Sequence, residues 1–164
     1  MPSDNKSLDD LQQALSMELT AIHQYLLHAH VLEDWGLDKL AAKMREEMQE
    51  ELGHAGAFIE RMLFLHGDPE VAAAHAPKRA QTLKDMFESD LREEKNAIAF
   101  YSKASMAAFE RGDLGTRALF ERIALDEEGH QAWLELQLDL LERMGEPAYV
   151  SKNMSGPSSD AGDD

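Results

Sequence analysis

The sequence predicts an all-α protein: an antiparallel four-helix bundle with one long crossover connection and a short fifth helix at the C-terminus. Three observations predict it. Apolar residues recur at helical spacing through four long segments, and no segment alternates as a strand would. Gly and Pro punctuate the chain only between those segments. The chain also repeats itself, with an offset of 76 residues, once in each half.

The first stripe is Leu11, Leu15, Ile22, Leu26 and Ala29, stopped by "DWG" at 34–36. The second is Leu40, Met44, Leu52, Ala55, Ile59, Met62 and Leu63, stopped by "HGDP" at 66–69. A loop rich in Ala and Pro follows to about residue 80. Met86, Leu91, Ile98, Ala104 and Ala108 make the third stripe, which ends at "RGD". The fourth runs from about Thr116 through Ile123, Leu134, Leu138 and Leu141 to "MGEP" at 144–147. Helices of this length are roughly 45 Å long at ~1.5 Å per residue. Two short connections give two antiparallel hairpins, and the long one crosses the bundle. A fifth helix is expected over 147–154. Residues 1–154 read as one domain, and 155–164, "SGPSSDAGDD", as a disordered acidic tail.

Composition narrows the chemistry. The 164 residues contain no cysteine, which excludes disulfides, thiolate metal sites and thiol nucleophiles. Any metal must be held by carboxylate and imidazole, ligands that suit iron, manganese and zinc. The net charge of −16 disfavours nucleic acid and favours cations. The N-terminus lacks the apolar run of a secretory signal, and no stretch approaches the ~18 apolar residues of a membrane span, so a cytoplasmic location is expected.

"ELTAIHQY" from Glu18 and "EKNAIAFY" from Glu94 both read E-x-x-A-I-x-x-Y. "EELGH" ending at His54 and "DEEGH" ending at His130 both read acid-Glu-x-Gly-His. A single Glu-x-x-His pair means little, because 18 glutamates and 7 histidines supply about one by chance. Seven identities at one offset point instead to a duplicated helix hairpin. Glu18 and Glu94 lie in apolar stripes, where a carboxylate is costly unless paired or metal-bound. Glu51, His54, Glu127 and His130 fall on core-facing positions of the other two helices. A twofold between the hairpins would gather four carboxylates and two imidazoles at mid-bundle, enough charge and donors for two divalent cations. Tyr25 and Tyr101, two turns beyond Glu18 and Glu94, could hydrogen-bond to a ligand carboxylate or serve as ordinary core aromatics. Glu47 is a candidate partner of the site or else a solvated charge. Glu46, Glu50, Asp126 and Glu128 are expected to face away from the core. His23, His28, His30, His66 and His75, lacking Glu partners, are assigned to surfaces or interfaces.

One Glu from each of two helices with Glu-x-x-His from the other two is the pattern of ferritin-like carboxylate proteins. With "ELTAIHQYLLHA", "WGL", "EELGHA", "FIERMLFLHG", "SDLREE" and "DEEGHQAWLELQLDLLERMG", the chain resembles a bacterioferritin over residues 8–150. The resemblance implies a ferritin-like fold and a cytoplasmic cage of 24 subunits. It implies a ferroxidase that converts Fe(II) to Fe(III) with dioxygen or hydrogen peroxide at an intrasubunit di-iron site and stores the mineral. It assigns Glu18, Glu51, His54, Glu94, Glu127 and His130 as ligands of two non-haem irons per subunit, with Glu51 and Glu127 bridging. It makes Tyr25 a neighbour of that site. Members also bind haem b between subunits through a Met at the position held here by Leu52, which cannot ligate iron. Met48, one turn earlier, is a conceivable displaced donor but not the favoured reading. Haem is therefore not expected in a homo-oligomer, although a cage mixed with a haem-binding subunit remains open. A His near 46 and an Asp at 50 are common in the family; here they are Glu46 and Glu50. Pro147 and the polar tail leave the lining of the fourfold channel open. Two competing readings are a rubrerythrin-like di-iron peroxidase, which would want a Glu where Ala97 stands, and a non-catalytic helical assembly protein.

Overall fold

A computed structural model describes residues 6–155. The expected tail from 156 onward, and the first five residues, lie outside them. Among the described residues every element is a helix: α1 Lys6–Asp34, α2 Asp38–Phe64, α3 Leu83–Glu110, α4 Leu114–Met144 and α5 Glu146–Asn153. Helix α1 packs along α2 and α3 along α4, giving the two antiparallel hairpins.

The hairpin turns are built alike. Gly36 and Gly112, 76 residues apart, take φ of 80° and 74°. That left-handed conformation favours glycine, because a Cβ would crowd the backbone. It lets Leu37 N donate to Leu32 O and Asp113 N to Ala108 O, closing the helix ends with bonds of 2.8 and 2.9 Å. Helix α3 starts at Thr82, whose hydroxyl accepts from Asp85 N at 3.1 Å.

The crossover, residues 65–82, lies along α1 and is fastened to one of its faces. Gln12 exchanges two hydrogen bonds with the backbone of Glu70. Thr20 Oγ1 accepts from Ala74 N at 2.9 Å, and Gln24 exchanges two bonds with the backbone of Lys78. Side chains that satisfy loop backbone groups in this way let the crossover lie close to the bundle.

The apolar core is divided in two. One cluster, around Leu32, Met44, Phe87 and Tyr149, fills the end of the bundle near α5. The other, around Leu15, Phe58, Tyr101 and Phe120, fills the opposite end. Polar side chains occupy the middle. Three residues expected in core stripes are exposed: Leu26, Leu52 and Leu63 are 45%, 52% and 56% accessible. Helical spacing alone does not fix how wide the covered stripe is. His28 corrects the sequence expectation in the other direction. It is fully buried, and its Nδ1 lies 3.0 Å from Asp90 Oδ2 on α3.

Candidate metal centre

Four helices each bring ligand-bearing side chains to the polar middle. Helix α1 brings Glu18, α2 brings Glu51 and His54, α3 brings Glu94, and α4 brings Glu127 and His130. All six are buried, between 1% and 7% exposed. On α2 and α4 the i, i+3 spacing sets Glu and His on one face a turn apart.

The six divide into two groups whose potential ligand atoms lie within 4.8 Å of one another. Glu18, Glu51, His54 and Glu127 form one, and Glu51, Glu94, Glu127 and His130 the other. Glu51 and Glu127 belong to both. His54 Nδ1 lies 3.2 Å from Glu51 Oε2 and 3.0 Å from Glu127 Oε1. His130 Nδ1 lies 2.9 Å from Glu51 Oε1 and 3.0 Å from Glu127 Oε2. The two rings lie 6.4 Å apart, stacked at 27°.

Donor atoms converge here without satisfying one another. Glu18 Oε2, Glu51 Oε1, both Glu127 oxygens and His130 Nδ1 are buried without an aligned hydrogen-bond partner, although several are within 3 Å of a polar atom. Buried polar atoms are normally paired. A set that converges on two shared points while remaining unpaired has the donor chemistry to hold two hard or borderline cations.

The electrostatics agree. Burial and then the charge of Glu51 hold the Glu18 carboxyl well above the usual carboxylate range. Burial and then Glu127 do the same for Glu94. Burial acts against Glu127 and against charged His54 and His130. Bonds among them, and from Glu94, outweigh it: Glu127 is held low and both imidazoles high. The cluster is thus short of positive charge and keeps protons in place of it.

The surrounding contacts repeat across the twofold. Tyr101 donates its hydroxyl to Glu18, and Tyr25 donates to Glu94. Burial first, then the neighbouring carboxylates, raise both phenols, so each stays a donor. On the far side, His54 Nε2 meets Asp126 Oδ2 at 3.0 Å and His130 Nε2 meets Glu50 Oε2 at 2.6 Å. Glu50 and Asp126 are themselves 76 residues apart. They reach the site, against the expectation that they face away. The signal was the acid that opens both E/D-E-x-G-H motifs. Glu47 is buried as well: one oxygen lies 2.5 Å from Lys43 Nζ, and the other lies 2.6 Å from His130 Nε2 without an aligned hydrogen bond. Glu46 and Glu128 stay exposed, as expected.

A cavity of about 560 Å³ lies between α1, α3 and the crossover. Glu18, Tyr25, Glu94, Tyr101 and Glu127 line it on the bundle side and Ala74 to Lys78 on the other. Leu52 is exposed and offers no donor for a haem iron, while Met48 packs half-buried against the core cluster of Met44 and Phe87. Among the described residues no helix is long and apolar enough to cross a membrane.

Comparison with known proteins agrees with this geometry. A family model for the ferritin-like domain matches residues 8–144. A Brucella melitensis bacterioferritin is 38% identical over 161 residues, covering 98% of this chain and 99% of that protein. One from Rhodobacter capsulatus is 40% identical over 153 residues, covering 93% and 95%. The solved structure of the Rhodobacter capsulatus bacterioferritin, described with a metal-free dinuclear site and a haem iron, superposes with a TM-score of 0.91 at 39% identity. It covers 99% of this chain and 100% of that one. Mycobacterium tuberculosis BfrA superposes with a TM-score of 0.90 at 35% identity, over 94% and 98%.

Proposed function

The chain belongs to the bacterioferritin family of iron-storage proteins, and from that membership we propose that it oxidises Fe(II) to Fe(III) at a dinuclear site within each subunit. The observation that carries this reading is the pair of ligand groups sharing Glu51 and Glu127. In it, Glu18, Glu51, His54, Glu94, Glu127 and His130 bind two Fe(II) substrate ions, with Glu51 and Glu127 bridging. Residues 1–154 form the single ferritin-like domain that carries the site.

The residues divide the work. Four carboxylates offset the charge of two divalent ions and stabilise the more highly charged product further. Tyr101 and Tyr25 fix one oxygen each of Glu18 and Glu94 and leave the other free to bind. Asp126 and Glu50 accept from the outer nitrogen of each imidazole, which sets the ring plane and turns Nδ1 inward. Each Fe(II) gives up one electron, and dioxygen or hydrogen peroxide accepts the pair. The cavity under the crossover is wide enough to admit either oxidant.

We further propose a cage of 24 cytoplasmic subunits, homomeric or mixed with a haem-binding subunit. Exposed Leu26, Leu52, Phe64, Met106 and Phe109 support burial of these faces in an assembly. A haem between two Met ligands does not fit the Leu52 position, and Met48, one turn earlier, is half-buried against the core.

Mixing the protein anaerobically with Fe(II), then with air-saturated buffer, tests the reading. Absorbance of Fe(III) near the ultraviolet edge should rise faster than in a protein-free control. A rate equal to that control would sink it.

A further inference from the structure

The two ligand groups match residue for residue at the 76-residue offset, but what stands behind them matches only in part. Behind His130, Glu47 is buried. Its Oε2 lies 2.6 Å from His130 Nε2, and its other oxygen lies 2.5 Å from Lys43 Nζ. The Lys43 ammonium in turn sits 5.5 Å from the centre of the Trp133 ring, a second contact that holds its charge in place. At the offset, Glu47 corresponds to Ile123, Lys43 to Leu119 and Trp133 to Ala57. Ile123 is fully buried and apolar. His54 therefore has only Asp126 behind it, a side chain 48% exposed, whereas His130 Nε2 has its hydrogen bond to Glu50 and, beside it, the buried charge of Glu47, whose Oε2 is close but makes no aligned hydrogen bond.

We propose that Glu47 is a positioning residue that makes the two metal positions unequal, so that a divalent cation binds more tightly beside His130 than beside His54. A carboxylate behind a ligating imidazole raises its basicity and locks its orientation, and losing such a partner weakens metal binding about 10–100-fold. A buried carboxylate acts more strongly than one half in water, because solvent screens it less. Lys43 offsets the cost of burying Glu47 and restrains it from turning away. The inference rests on the dinuclear reading above.

Anaerobic titration of the assembled protein with Co(II), followed by its visible absorption and by calorimetry, tests the proposal without any oxidation. Two steps are expected, about tenfold or more apart in affinity. Glu47→Gln keeps the shape and removes the charge; it should weaken the tighter step and bring the two within about threefold. Lys43→Arg, which keeps the ion pair, should preserve the gap. His54→Ala should leave a single ion bound at the tighter affinity and His130→Ala one at the weaker. A gap unchanged in Glu47→Gln, or two equal steps in the native protein, overturns the proposal while the dinuclear reading stands. Failure to bind any Co(II) overturns both.

Discussion

The hairpin of α1 and α2 and the hairpin of α3 and α4 share a ligand set and its nearest contacts but differ in most of what lies beyond them. The shared part is small: Glu, Glu-x-x-His, a phenol donating across to the opposite terminal Glu, an acid behind each imidazole and a turn glycine. The remainder has diverged. His28 and Asp90 form a buried pair between α1 and α3 at one end of the bundle. Their counterparts at the offset are Ala104 and Ala14, both buried in the other core. Gln24 donates to His28 Nε2, which leaves Nδ1 to donate to Asp90. Metal chemistry tolerates little change in donor type or spacing. Core packing asks only for matched volume and satisfied polar atoms, so it can drift.

The largest effect should come from breaking the shared part. Glu18→Ala and Glu94→Ala should each bring Fe(II) oxidation down to the protein-free rate, with helicity and assembly size retained. Each change also leaves a buried phenol hydroxyl without its acceptor, so metal-free stability should fall by about 1–3 kcal/mol. A variant that still oxidises iron quickly would remove its residue from the site.

The His28–Asp90 pair comes next. His28→Leu leaves Asp90 buried and unpaired, which should cost about 3–5 kcal/mol in denaturant unfolding. Adding Asp90→Leu should recover more than half of that loss, since the second core manages with alanines at both positions. A double variant no better than the single would mean that the pair does more than satisfy itself.

Tyr25→Phe and Tyr101→Phe should each slow oxidation about tenfold, and by similar amounts, because each frees one terminal Glu. Stopped-flow rates that differ strongly between them would show that the twofold fails already at the phenols.

The smallest effect lies at the helix starts. Asp113 caps α4 by accepting from Thr116 N at 3.1 Å and holds Arg61 at 2.6 Å, whereas its counterpart Leu37 makes no side-chain cap. Burial works against the Asp113 carboxylate, but its bonds to Thr116, Ser7 and Arg61 hold it down at about 2. Asp113→Ala should therefore cost about 1 kcal/mol at neutral pH. A depressed carboxyl stabilises above its ordinary value of 3.8 and stops doing so as pH falls through the folded value. The gap between variant and native protein should close between pH 4 and pH 2, as melting temperatures across that range will show.

The sequence by itself determined the four long helices, the duplicated hairpin and the six acid and imidazole side chains. Those rest on local periodicity and on spacing within one helix, which a repeat makes unambiguous. Tertiary structure decided which groups meet across helices. Leu26, Leu52 and Leu63 follow helical periodicity yet face outward, because the width of a buried stripe depends on where the partner helix lies. Glu50 and Asp126 look like solvated charges, and Glu47 stays undecided between site partner and solvated charge, until α2 and α4 come side by side and bring the outer nitrogens of His54 and His130 within reach. His28 gave no sign of burial because its partner Asp90 lies 62 residues away on α3. A helix specifies the direction of each side chain from its own axis, whereas the environment that side chain enters is built by chain distant in sequence.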